Sequence, residues 1–264
     1  MAAPEPEDEG PWLNARWALI VAVVLVVVVR ELVPFGRQIL YPLTLFATWV
    51  HEMGHGLTGL AVGGTFDQLE IFGNAAGLAR GSVDPGWPRA LRAAGGLVGP
   101  PAVGAAMLAF SRGPRRATIA LAVLAAVMTL SVPIWVRSLV GWIVIPALAT
   151  AFALLAYKGA DSVKHLAAQG LGVVLGLDTI TRIDYLFTAE VHVGGQLRPS
   201  DVSHISEAIG GPFWLWGLLL AALSLALVAL GVRAAWMEEV KLPKLPWPRR
   251  PKDVPSSDGG RPNL

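Results

Sequence analysis

His51-Glu52-Met53-Gly54-His55 is the stretch of this chain whose residue types and spacing point most directly to chemistry. It has the form H-E-x-x-H. On a helix, positions i and i+4 lie on one face, so His51 and His55 project together and can hold one divalent cation. Glu52 stands beside them, placed to take a proton from a water activated at that cation. The chain has no cysteine, so it has no disulfide and any metal is held by His, Asp or Glu. Imidazole ligands in this pattern favour Zn²⁺, which lowers the pKa of a bound water towards ~7.

A catalytic zinc takes three protein ligands and keeps one position open. The third must come from elsewhere in the chain. Asp178, in Gly176-Leu177-Asp178-Thr179, lies in an apolar segment near the depth inferred for His51 and is the expected ligand. Asp184 is the alternative. The two are six residues apart, about 600° around a helix, so only one can face the metal. Asp178 also stands i, i+4 to Arg182, which permits an ion pair instead. Asp201 or another acid is a further candidate, but Asp201 follows Pro199-Ser200 and reads better as a helix N-cap. His192 and His204 fall in a connector and are expected to be solvated. His165, beside Lys164 at a helix start, reads as an interface position.

These residues must be positioned by membrane helices. The chain of 264 residues is 54% hydrophobic and only 15% charged, against about 25% charged in a soluble domain. Apolar segments run roughly over 16–34, 39–62, 91–110, 116–135, 138–157, 163–187 and 212–235, each near the ~20 residues that cross a bilayer. The expected fold is an all-α polytopic bundle of about six to seven transmembrane helices with a small β-hairpin insertion.

The hairpin is expected in residues 63–90. Thr65-Phe66-Asp67-Gln68-Leu69-Glu70-Ile71-Phe72 alternates polar and apolar, Gly73-Asn74-Ala75-Ala76-Gly77 is turn-rich, and Leu78 to Val83 reads as the return strand. It is either a surface hairpin or an edge strand beside the active site, where an extended substrate could pair with it. The chain thus divides into an acidic tail (1–15), a membrane domain (16–236) and a basic, Pro-rich tail (237–264) of disordered composition.

Basic residues cluster in alternate connectors: Arg30 and Arg37, then Arg112, Arg115 and Arg116, then Lys158 and Lys164, then the C-terminal tail. This pattern puts the C-terminus inside the cell. Arg16, Arg137, Arg80, Arg89 and Arg92 run against it, the last three most strongly. The formal net charge of +2 is too small to indicate a nucleic-acid partner.

At the H-E-x-x-H motif the sequence resembles the site-2 protease-type intramembrane zinc metallopeptidases, most closely their compact bacterial branch without a PDZ domain. The likeness runs from His51 through Gly63-Gly64 and the hairpin to Gly77. It continues in Ala94-Gly95-Gly96-Leu97-Val98-Gly99-Pro100-Pro101 and, more weakly, in Ser200-Asp201-Val202 and Ile209-Gly210-Gly211-Pro212. The resemblance implies a zinc endopeptidase of the bacterial cell membrane that cuts a membrane-protein substrate within or near its transmembrane segment. His51 and His55 match the family's histidine ligands and Glu52 its general base. The family's Leu-Asp-Gly context for the third ligand is missing here. Two other readings stand beside it: a non-catalytic scaffold or regulator of the same fold, and a transporter whose buried acids form an ion path.

Overall fold

The computed structural model describes residues 15–236; the two tails expected from the sequence lie outside them. Helix α1 (Ala15–Leu32) and a short turn α2 (Gly36–Ile39) lead into α3 (Tyr41–Ala61), which carries the H-E-x-x-H motif. The hairpin β1 (Gln68–Ile71) and β2 (Gly77–Arg80) follows. Then come α4 (Trp87–Phe110), α5 (Pro114–Trp135), α6 (Leu139–Lys158) and α7 (Asp161–Thr181), the last extended by a 3₁₀ turn at Ile183–Phe187. A second hairpin, β3 (Glu190–Val193) and β4 (Gln196–Pro199), precedes α8 (Asp201–Ile209) and α9 (Phe213–Trp236).

Among the described residues, five helices are long and apolar enough to cross a membrane: α4, α5, α6, α7 with its 3₁₀ extension, and α9. The other two of the seven expected segments are helical but interrupted by charged or polar groups. Helix α1 carries Arg30 and Glu31 near its end, and α3 carries the motif's own polar groups. The outward faces of the spans expose large apolar side chains, such as Val123, Leu130, Ile143, Leu154, Leu218 and Leu230. Apolar surface on that scale suits lipid rather than water.

Helix α4 is the hub and packs against α3, α7, α8 and α9. Its contact with α3 is made backbone to backbone. A Cβ on Gly54 would fall on the Gly95 carbonyl, and one on Gly95 would fall on the Thr58 side chain. Small residues at such a crossing let two membrane helices approach closely.

Helix α3 ends where glycine allows it to. Gly63 takes φ +85°, Gly64 donates its N–H to the Gly59 carbonyl at 2.9 Å, and Gly63 donates to the Leu60 carbonyl at 3.1 Å. This is the Schellman closure, and it turns the chain back toward its own helix. The first hairpin is therefore built into the body of the protein. Leu69 and Ile71 are fully buried in the main core beside Phe46, Leu121, Met128 and Val136. Phe66 stacks on Trp135 with ring centroids 4.7 Å apart. The turn is tied to α3 by Tyr41, whose hydroxyl donates to the Gly73 carbonyl, and by Thr48, whose hydroxyl donates to that of Ala75.

The register shows which strand is the free edge. Leu69 pairs with Ala79 and Ile71 with Gly77. The Leu69 carbonyl accepts from Arg137 N–H at 2.8 Å, and Ile71 N–H donates to Ser138 Oγ at 2.8 Å. Both residues thus turn their backbone groups away from β2. Directly opposed antiparallel residues turn their backbone groups the same way relative to the ladder between them. Gly77 and Ala79 therefore present theirs on the outer edge of β2. The second hairpin lies in the segment expected as a connector and closes on Gly194 (φ +59°) and Gly195 (φ +77°), the left-handed pair that a two-residue turn demands.

Candidate metal centre

Three side chains from two helices converge on one point. Helix α3 brings His51 and His55, and the first turn of α8 brings Asp201. His51 Nε2 and His55 Nε2 lie 3.0 Å apart. Asp201 Oδ2 is 3.3 Å from His51 Nε2, and Asp201 Oδ1 is 3.3 Å from His55 Nε2. Among the described residues, these three form the group of His and acidic side chains that could hold a metal ion.

Asp201 is placed by a short chain of local causes. Ser200 caps α8 by accepting from Ser203 N–H. The Ser200 N–H in turn donates to the Ala189 carbonyl at 2.9 Å. Val202 and Ile205, buried in a core with Ala90, Ala93 and Leu97 of α4, fix the rotation of α8. Tyr185, in the 3₁₀ turn, donates its hydroxyl to Asp201 Oδ2 at 3.1 Å. Burial opposes ionisation of Asp201, but the two imidazoles outweigh it and hold the carboxyl well below the usual carboxylate range. It is therefore an anion, as a ligand must be.

His55 is held by its second nitrogen. Nδ1 lies 2.9 Å from the Arg92 carbonyl. A carbonyl only accepts, so Nδ1 carries a proton, and release of the Nε2 proton would free that lone pair for a metal. Gly96 makes room for this ring, since a Cβ there would fall on the imidazole. The donor set suits zinc. Ligand distances of about 2.0–2.2 Å at tetrahedral angles put donor atoms roughly 3.3 Å apart; the two Nε2 atoms here are 3.0 Å apart, and each lies 3.3 Å from a different oxygen of the Asp201 carboxylate. Two imidazoles and a carboxylate leave one position open, the pattern of a catalytic rather than a structural site.

Glu52 is buried beside the cluster, and the β2 edge covers it so closely that a Cβ on Gly77 would fall on its carboxylate. Two cavities meet at His51 and Glu52. One, of about 380 Å³, runs between α3, the first hairpin turn, α7 and β3. The other, of about 360 Å³, opens between β2, α4 and β4.

The structure departs from the sequence expectation at the third position. Asp178 does not join the histidines. It forms the i, i+4 ion pair with Arg182 at 2.9 Å and lines the first cavity from the α7 side. Asp184 is exposed. The carboxylate that does join them is Asp201, read from sequence as a cap; the cap itself is its neighbour Ser200. His192 lies on β3 and lines the first cavity. His204 accepts from Arg89 at 2.9 Å, and burial, helped by the Arg89 charge, pushes its pKa down.

The sequence profile of the family described as peptidase M50B-like matches residues 17–231. No curated protein and no solved structure matches the chain.

Proposed function

Because the chain belongs to the M50B-like peptidases, a site-2 protease-type family, and is a multi-pass membrane protein, we propose that it is an intramembrane zinc endopeptidase. The observation that carries this reading is the convergence of His51 Nε2, His55 Nε2 and the Asp201 carboxylate within 3.3 Å of one another, with Glu52 alongside. His51, His55 and Asp201 would hold the zinc. Zinc bound there supplies Lewis acidity, which polarises water and the scissile carbonyl.

The protein's own groups supply the rest. The Glu52 carboxylate accepts a proton from the attacking water and returns it to the leaving amine nitrogen, as the new C–O bond forms and the C–N bond breaks. Arg92 and Tyr185 keep His55 and Asp201 in place through the Arg92 carbonyl and the Tyr185 hydroxyl. The outer edge of β2 accepts the substrate as an added strand at the backbone groups of Gly77, next to the Ala79 carbonyl that Arg92 already holds. That pairing extends the peptide beside Glu52 and exposes the bond to be cut. An ion path through Asp178 and Arg182 is disfavoured, because those two satisfy each other.

The test is cleavage of a reconstituted membrane-spanning peptide by the wild type and by Glu52→Gln. The wild type should purify with about one zinc and cut the peptide. Glu52→Gln should keep the metal and lose at least ~10²-fold in rate. A zinc-free, well-folded wild type, or unchanged cleavage by Glu52→Gln, would overturn the reading.

A further inference from the structure

The second cavity is walled by four arginines. Arg80 of β2, Arg89 and Arg92 of α4, and Arg198 of β4 line it together with Glu52, Asp201 and the histidines. Two of the four are matched within the protein: Arg80 pairs with Glu70 at 3.0 Å and Arg89 with Glu207 at 2.8 Å. The other two have no carboxylate in ion-pair range among the described residues. Arg92 spends its guanidinium on the carbonyls of Gly81 and Ala79, at 2.7 and 2.9 Å. Arg198 donates one amino group to Gln196 Oε1 at 3.0 Å, and its Nε is buried with no partner. Arg80, Arg89 and Arg92 are also the residues that most strongly break the expected distribution of positive charge, so setting topology does not explain them.

A buried guanidinium donor without an acceptor costs free energy until an anion arrives, and the planar fork is shaped for a carboxylate. The lining acids offer no such partner, since Asp201 is engaged by the histidines and Tyr185, and Glu52 is covered by β2. The first cavity sets Ala47, Leu97, Pro100 and Leu186 beside polar groups, and its one arginine, Arg182, is matched by Asp178 at 2.9 Å.

We propose that the arginine-walled cavity receives an acidic side chain of the substrate, with Arg198 as its partner. The preferred substrate then carries an Asp or Glu on the side of the scissile bond that faces this cavity. A peptide is favoured over a lipid headgroup because the cavity is continuous with Glu52 and is bounded by the β2 and β4 strands. This inference rests on the peptidase reading of the same site.

The experiment measures binding and cleavage separately. Fluorescent membrane-spanning peptides with Glu, Gln or Lys at one juxtamembrane position are bound to full-length, zinc-loaded Glu52→Gln protein in nanodiscs, with cleavage by the Glu52 protein read in parallel. The Glu peptide should bind about tenfold tighter than the Gln peptide. That preference should vanish in Arg198→Gln and turn toward the Lys peptide in Arg198→Glu, a gain that misfolding cannot produce. Equal binding of the Glu and Gln peptides overturns the proposal. So does a Glu preference that survives Arg198→Gln, or one that disappears when anionic lipid in the disc is replaced by zwitterionic lipid. A charge preference that follows Arg198 while no peptide is cleaved supports this inference and counts against the peptidase reading alone.

Discussion

Replacing Asp201 with Asn is the sharpest test of the metal centre, because the change is nearly isosteric and removes the charge alone. The Asp201 carboxylate spans both histidines, at 3.3 Å from each Nε2, and the Asn amide would keep one oxygen but present an NH₂ group to the other. Losing a hydrogen bond behind a ligand already costs a site about 10–100-fold in affinity. Loss of the ligand itself should exceed the upper figure, more than ~2.7 kcal/mol. Asp178→Asn is the matched control. Its partner Arg182 is 48% exposed, so that pair is worth only ~0.2–1 kcal/mol of stability after solvent screening, and zinc should be untouched. The assay is zinc content by mass spectrometry after dialysis against a graded chelator, in detergent, with thermal unfolding as the folding control. Wild-type zinc retention in Asp201→Asn, or zinc loss in a folded Asp178→Asn, would refute the assignment.

Two further outcomes follow from the same geometry. Tyr185→Phe removes the hydroxyl that donates to Asp201 Oδ2 and should weaken zinc binding by ~10–100-fold with the fold intact, read by chelator competition. Gly96→Ala drives a methyl into the His55 ring. It should lower stability by ~1–3 kcal/mol and reduce zinc occupancy, seen as a lower midpoint of thermal unfolding that added zinc only partly restores.

The sequence made the H-E-x-x-H helix legible because both periodicities it depends on are local. One is the i, i+4 spacing of His51 and His55, and the other is the apolar run of α3. The first hairpin was legible for the same reason, through the alternation around Leu69 and Ile71 and the turn at Gly73–Gly77. The second hairpin carried a comparable signal, Gly194-Gly195 between Val191-His192-Val193 and Gln196-Leu197-Arg198, but its strands are only four residues long. Asp201 ranked behind Asp178 and Asp184 because its local chemistry is satisfied by an ordinary description. It opens a capped helix, and nothing near it in sequence says which wall that helix faces. Its direction comes from Val202 and Ile205 packing on α4, a contact between distant parts of the chain. Asp178 had the right depth, but it also had Arg182 one turn away, and that partner won.

Arg92 has a bearing on how this protein could be re-engineered. Its carbonyl holds the His55 ring while its guanidinium holds the carbonyls of Gly81 and Ala79 on the β2 side. One residue therefore fastens the hairpin and sets a histidine at the same time. The hairpin is not an interchangeable cartridge. A graft that brings in a foreign loop to change what is cut must carry the same pair of carbonyl positions, or it will loosen the centre it was meant to serve.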